Sequence, residues 1–343
     1  MAYYDGTKLL SLSDVNGNKP ELYMCTTNRT GGKTTYFSRF VVRKFIKGDG
    51  KFGLIYRFNY EVDDCADKFF KDIGSLFFPN STMTNKRKAS GAYHELFLDG
   101  VSCGYAFSLN CADQLKKFSH LFSDCNTLLF DEFQSETNHY CPNEIKKFQS
   151  IHTTIARGQG KQKRYVPVYM IGNPVSLINP YYCALRISSR LKTDTKFLKG
   201  DGWVLEQGYV DSAAEAQKES GIVRAFADDS YNAYSAQGVY LNDNYAFIDK
   251  PKGNGHYVCT LKYDGNEYAI REYSTLGIMY CDNRVDSTFG FKIAVTTDDH
   301  NINYIMLKNN DFFIKTIRFY FERGCFRFKD LKCKEALITA LSL

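Results

Sequence analysis

Glu21-Leu-Tyr-Met-Cys-Thr-Thr-Asn-Arg-Thr-Gly-Gly-Lys-Thr-Thr35 decides how the rest of the chain is read. Leu22 to Cys25 is a short apolar run of the kind that forms a strand covered on both faces. After Lys33, apolar side chains at Tyr36, Phe37, Phe40, Val41 and Phe45 recur with helical spacing. Between the two lies Thr27-x-x-x-x-Gly32-Lys33-Thr34, the phosphate-binding loop pattern with one departure: Thr27 stands where the pattern opens on Gly. In such a loop the backbone N–H groups of Thr27, Asn28, Arg29, Thr30, Gly31 and Gly32, with the positive end of the following helix, cradle nucleotide phosphates. Lys33 then reaches the β- and γ-phosphates, and the Thr34 hydroxyl holds Mg²⁺. Alone, the stretch is also readable as an ordinary Gly-rich turn from strand to helix.

A second stretch favours the nucleotide reading. Thr127-Leu-Leu-Phe-Asp131-Glu132 is an apolar run ending in two carboxylates. A buried parallel strand would deliver such acids to the edge of the sheet where ligands bind. Asp131 is expected to hold the Mg²⁺ through water, and Glu132 to polarise the attacking water.

The composition sets bounds. A chain of 343 residues suits two domains, and 44% hydrophobic content with 27 Phe and 25 Tyr supplies core for both. Seven Pro and the absence of low-complexity tracts argue against long disordered segments. No apolar run approaches the roughly 20 residues of a membrane helix, and no signal-peptide pattern opens the chain, so no membrane partner is expected. Eleven Cys without a Cys-x-x-Cys pair read as buried thiols of a reducing compartment. Residues 1–200 carry 28 Lys+Arg against 18 Asp+Glu, whereas residues 201–343 carry 16 against 20. A polyanionic partner is therefore expected at the N-terminal half, although charge of this size also serves solubility.

Along the chain, Phe52 to Arg57 reads as a second core strand and Val62 to Phe77 as an amphipathic helix. This strand–helix alternation predicts right-handed crossovers and a largely parallel sheet. Lys86-Arg87-Lys88 falls in a polar loop before a hairpin turning at Asp99-Gly100, either a solvated loop or a phosphate-contacting arm. A short helix near 111–120 carries Lys116 and Lys117. Pro142 opens a helix with Ile145, Phe148, Ile151 and Ile155 on its apolar face, stopping at Arg157-Gly158. The basic loop that follows carries Lys161, Lys163 and Arg164. Val168 to Gly172 is a further core strand ending in Asn173, either a sensor of the γ-phosphate or simply the first half of an Asn-Pro turn. The stretch 190–225, with Lys192, Lys196 and Lys199, reads as a linker with one polar helix. An antiparallel meander, Tyr257–Tyr263, Glu267–Tyr273 and Leu276–Cys281, then precedes a strand at 292–297 and two helices flanking Cys325–Phe328.

Several phrases resemble the DNA-packaging (encapsidation) ATPases of small short-tailed bacteriophages, the Picovirinae type of terminase-like motor. They are Asn28-Arg29-Thr-Gly-Gly-Lys33-Thr34, Leu129-Phe-Asp131-Glu132-Phe133, Pro142-Asn143-Glu144 and Asn173-Pro-Val-Ser-Leu-Ile-Asn179-Pro180-Tyr181, with a weaker echo in Thr296-Thr-Asp-Asp299. The resemblance implies an α/β fold. A P-loop ATPase domain with an additional catalytic Glu and a mainly parallel sheet (1–190) would be followed by a linker (191–225). A smaller α+β, RNase-H-like vestigial nuclease domain (226–343) would close the chain. It implies ATP and Mg²⁺, a homopentameric ring on the portal of an empty capsid in the host cytoplasm, and inward threading of double-stranded DNA. Whether a packaging RNA joins the ring is left open. It further implies that Arg29 is the arginine inside the loop, that Arg157 is a finger acting on the neighbouring subunit's nucleotide, and that Lys116 or Lys117 also acts in trans. Lys86, Arg87, Lys88, Lys161, Lys163 and Arg164 would meet DNA.

The vestigial reading agrees with the residues. An active two-metal nuclease needs carboxylates about 4 Å apart, and the first meander strand has none in its middle. Asp282, Asp298 and Asp299 are at most a remnant. Two alternatives stand beside the motor: a nucleotide-binding scaffold with impaired hydrolysis, and a small-molecule P-loop kinase.

Overall fold

The computed structural model describes residues 3–137, 139–158, 160–187, 190–191, 195–225 and 248–342. They form two compact units: residues 1–134, 146–174 and 192–241, and residues 135–145, 175–191 and 242–343. Lys192 and residues 226–247, with which the C-terminal domain was expected to begin, lie outside the described residues.

The first unit opens with α1 (Thr7–Leu10), β1 (Leu22–Thr26), α2 (Lys33–Ile46), β2 (Lys51–Tyr56) and α3 (Asn59–Phe77). Then come β3 (Met83–Lys88), β4 (Tyr93–Leu98), β5 (Val101–Ser108), α4 (Ala112–Leu115) and β6 (Cys125–Asp131). It continues with α5 (Glu144–Ile155), whose residues from Lys146 onward belong here, and β7 (Val168–Gly172). In the other unit lies α6 (Pro180–Ala184); the first unit closes with β8 (Phe197–Gly200), β9 (Trp203–Gln207), α7 (Asp211–Lys218) and α8 (Gly221–Ala225).

Nine strands pair in the order β3-β4-β5-β2-β6-β7-β1-β9-β8. The six from β5 to β9 run parallel, and β3, β4 and β8 are antiparallel additions at the two ends. Burial on both faces explains the near-continuous apolar sequences of the central strands. Tyr23, Cys25, Leu54, Leu129 and Ile171 pack with Phe37 and Val41 of α2 and Val62 and Ala66 of α3. On the other face Phe107 meets Phe122 edge-on at 4.9 Å, and Phe130 stacks with Phe148 of α5 at 6.4 Å. Gly104 is required here, because a Cβ would lie 2.4 Å from the Phe52 carbonyl oxygen on β2. Register sets the site: Thr26 pairs with Gly172 and Asp131 with Ile171. The segments after β1, β6 and β7 therefore leave from one edge, as parallel strands require.

Three local expectations are corrected. Lys86-Arg87-Lys88 is not a loop but the end of edge strand β3, paired with β4. Lysines on an exposed edge strand oppose pairing with other chains, which an alternating polar sequence does not reveal. Within the expected linker, β8 and β9 add to the sheet, β9 lying beside β1. The Pro142 helix begins at Glu144, because Asn143 turns left-handed (φ 56°).

The second unit holds β10 (His256–Tyr263), β11 (Asn266–Tyr273), β12 (Ile278–Asp282), β13 (Lys292–Ala294), β14 (Ile305–Met306), α9 (Asp311–Glu322), β15 (Phe326–Phe328) and α10 (Leu331–Ser342). Its sheet runs β14-β13-β10-β11-β12-β15, with an antiparallel meander at the centre and parallel strands on both flanks. Leu261, Ile270, Cys281, Phe326 and Phe328 pack against Ile317 and Phe321 of α9 and Leu337 of α10. Asn179 caps α6, accepting from the Tyr181 and Tyr182 amides, with Pro180 at the first helical position.

Arg164 is buried, not presented to a partner. Its guanidinium donates to Asn126 Oδ1 (2.6 Å) and to the carbonyls of Cys125 (3.2 Å) and Ile155 (2.6 Å), tying β6 to the end of α5. Arg164→Leu leaves those buried carbonyls unpaired and is expected to cost about 3 kcal/mol, read as a lower denaturation midpoint in urea.

Candidate active site

The loop between β1 and α2 turns at two residues, Thr30 (φ 59°) and Gly32 (φ 92°). The left-handed backbone is therefore at positions 30 and 32, and Thr27, where the pattern opens on Gly, is free to carry a side chain. Thr27 is buried: its amide donates to the Gly172 carbonyl (3.3 Å) and its hydroxyl to the Asn28 carbonyl (3.0 Å). Gly32 caps α2 without any side-chain bond, leaving the first N–H groups of a 14-residue helix for an anion. A Cβ on Gly32 would also sit 3.1 Å from the Tyr3 ring.

The loop is held from outside by residues that sequence reading passed over as linker. Asn28 is wholly buried; its amide donates to the Val210 carbonyl (3.1 Å) and its Oδ1 accepts from the Val210 amide (2.9 Å). Gln217 of α7 donates to the Arg29 carbonyl (3.1 Å) and the Thr30 hydroxyl (2.9 Å). From the N-terminal segment, the Tyr4 amide donates to the Gly31 carbonyl (2.8 Å).

Lys33 is 7% exposed, and its ammonium donates to Asn173 Oδ1 at 2.6 Å. Burial pushes its pKa down from the usual lysine value, opposed chiefly by the Asp131 carboxylate. Asp131 moves the complementary way: burial pushes it up, against the Lys33 charge, the Thr34 hydroxyl bonded to it and the Glu132 amide at 2.8 Å. Lys33, Thr34, Asp131 and Asn173 thus form one cluster, joined across three strand ends. Ammonium, hydroxyl and carboxylate beside an uncapped helix are the donor set that a nucleotide phosphate and a divalent cation require.

Glu132 is exposed and its backbone is left-handed (φ 54°), an unfavourable conformation for a non-glycine residue. Arg57, at the end of β2, is buried and accounts for its persistence. Its guanidinium donates to the Phe133 carbonyl (2.9 Å) and reaches the Glu132 carbonyl (3.4 Å), over the Phe130 ring. Arg57 was read only as the last residue of a strand; nothing local in sequence distinguishes it. A cavity of about 280 Å³ opens beside these residues, lined by Thr34, Arg57, Glu61, Cys65, Asp131 and Glu132.

The remaining candidates lie elsewhere. Lys116 and Arg157 line one concavity of about 400 Å³; Lys117 is exposed and does not line it. Lys161 and Lys163, with Lys19 and Lys44, surround a third hollow. Lys163 also pairs with Glu21 at 2.8 Å. On β3, Lys88 pairs with Glu95 (3.2 Å) and Arg87 with Asp63 (3.8 Å), while Lys86 is exposed. In the second unit Asp282 is bonded to Arg271 (3.3 Å), and Asp299 accepts from the Thr296 hydroxyl and the amides of Asp264 and Gly265. Burial pushes Asp299 up, but those bonds outweigh it and hold its carboxyl below the ordinary value. Asp298 is exposed.

A mixed α/β unit on a parallel-rich sheet, with an uncapped helix start and strand-end acids, defines a class; comparison with known proteins defines the family. The model of the podovirus DNA encapsidation protein (Gp16) family matches residues 1–340, and the chain belongs to that family. It is 23% identical over 331 residues to a DNA packaging protein of Bacillus phage phi29, covering 95% of this chain and 93% of that one. With the DNA packaging protein of Bacillus phage B103 it shares 22% over 301 residues, 87% of this chain and 89% of the relative. Among solved structures it is similar to a chain of the bacteriophage phi-29 viral genome packaging motor assembly (TM-score 0.57, 21% identity, 98% of this chain and 99% of that chain). It is similar also to the Phi-28 gp11 DNA packaging motor (TM-score 0.58, 16% identity, 99% and 98%).

Asn28→Ala removes both bonds to Val210 and leaves the buried Val210 amide without its acceptor, while the Val210 carbonyl still accepts from the Ala214 amide (3.2 Å). It is expected to lower stability by about 2 kcal/mol, measured as a shift in urea midpoint.

Proposed function

We propose that the chain is an ATP-driven motor that moves double-stranded DNA into an empty capsid as a ring of copies seated on the portal. The observation that carries the reading is the buried cluster of Lys33, Thr34, Asp131 and Asn173 beside the uncapped start of α2, with Glu132 held next to it. Family membership and the packaging motors to which the fold is similar support the choice of DNA over a small acceptor. A pentameric ring remains part of the proposal by family resemblance.

In this reading the loop Thr27–Thr34 binds the triphosphate, with Arg29 inside it and Lys33 drawn from Asn173 towards the β- and γ-phosphates. Thr34 and Asp131 are the residues that would hold Mg²⁺, which would supply positive charge beside the phosphate oxygens. Glu132 accepts a proton from water as that water attacks the γ-phosphorus and ADP leaves. Arg57 keeps the Glu132 peptide in its strained turn, so that the carboxylate stays aimed while the loop works. Asn173 senses whether Lys33 is engaged. Arg157, exposed and without a partner among the described residues, is the group offered to a neighbouring copy, together with Lys116 or Lys117.

We further propose ATPase and RNase-H-like domains for the two parts of the chain. The second unit's strand order, a three-strand meander flanked on its first strand by parallel β13 and β14, supports the latter. Asp282 and Asp299 are committed to Arg271 and to a turn, which favours a domain that no longer cuts DNA.

Glu132→Gln is expected to keep ATP affinity and lose about 10²–10⁴ of turnover, whereas Lys33→Ala loses binding itself, measured by nucleotide titration and phosphate release. Full hydrolysis by the Glu132 variant contradicts the assignment. DNA binding is expected to use Lys86, Lys161 and Lys163, joined by Lys19 and Lys44. Replacing Lys161 and Lys163 together should flatten the slope of log affinity against log salt by about two, without changing sequence preference.

A further inference from the structure

We infer that Lys146 is a third cation, with Lys116 and Arg157, in a pocket that receives the phosphates of a nucleotide bound by a second copy of this chain. The inference rests on the motor reading above and extends it to a residue outside every motif. Helix α5 places Lys146, Gln149, Ser150 and Thr153 along one stripe, Arg157 follows two residues beyond its end, and these residues with Lys116 line a hollow of about 400 Å³. Spacings of three, four and seven residues keep the four helical residues on one face.

The charge on this pocket is only partly compensated. No carboxylate is among its lining residues; Lys116 alone is held, by Asp113 at 2.7 Å. Lys146 and Arg157 are exposed and have no hydrogen bond or ion pair among the described residues. Lys147, the next residue, differs: its ammonium donates to Asn110 Oδ1 at 2.9 Å. Three like charges around one concavity repel one another unless an anion occupies it. The Gln149 side-chain amide adds a neutral donor between the cations. The volume lies within the range of small-ligand sites, which suits a nucleotide's phosphates better than the side of a duplex. The pocket lies on the sheet face that carries Phe122 and α5, whereas the phosphate loop leads into α2 on the other face. The nucleotide it meets is therefore that of another copy.

The test uses the full chain assembled under packaging conditions. Lys146→Ala is expected to lower the turnover number about 10- to 100-fold while leaving nucleotide affinity of the unassembled chain unchanged. Lys146→Arg should recover most of the loss, and Lys147→Ala should match the wild type. Mixing Lys146→Ala copies with Lys33→Ala copies should restore part of the activity, because some interfaces then join an intact phosphate loop to an intact Lys146. Wild-type turnover by Lys146→Ala overturns the inference, as does a loss that mixing does not restore. A reduced salt slope for DNA binding with turnover intact also overturns it, making the pocket a contact for backbone phosphates instead. If Lys146→Ala is normal while Glu132→Gln is inactive, only this inference falls. If both are fully active, the motor reading falls with it.

Discussion

A buried ammonium organises this protein. Lys33 gives up nearly all contact with water, and an isolated charge in that position would be costly. Asn173 at the end of β7 and Asp131 at the end of β6 compensate it, one by a 2.6 Å hydrogen bond and one by charge. Their presence at one place depends on the parallel register that ends β1, β6 and β7 together, with Thr26 opposite Gly172 and Asp131 opposite Ile171. A slip of one residue in any of the three strands would turn these groups to the other face of the sheet. Sheet, loop and site are in this sense one constraint.

The same cluster explains why the site can respond to a ligand. Lys33 and Asp131 are each pushed towards their neutral forms by burial and each held charged by the other. An anion at the start of α2 and a cation beside Thr34 would offer each a stronger partner, so ligand binding exchanges interactions already present. Glu132 is prepared differently, by backbone strain that the Arg57 guanidinium holds through two carbonyls.

Much of this was legible in the sequence because it depends on local pattern. The apolar runs ending in Thr26, Asp131 and Gly172 announced parallel strands, and Gly32-Lys33-Thr34 announced the helix start. What was hidden depends on distant residues meeting. Asn28 reaches Val210, Gln217 reaches the loop, and Arg57 reaches Phe133, separations that no spacing rule covers. The linker reading missed β8 and β9 because short strands added at a sheet end carry little apolar periodicity. Arg164 was assigned with Lys161 and Lys163 on charge alone, yet its fork satisfies three acceptors inside the fold. Thr27 was a departure only by comparison with a pattern; the backbone turns at Thr30 and Gly32, so a side chain at position 27 is accommodated.

The most direct test of the central claim is a structure of the chain with Mg²⁺ and a non-hydrolysable ATP analogue. The account predicts the terminal phosphate within hydrogen-bonding distance of Lys33 Nζ, the cation beside Thr34 and Asp131, and the Glu132 carboxylate facing the terminal phosphorus. A nucleotide bound elsewhere, with Lys33 still bonded only to Asn173, would contradict it.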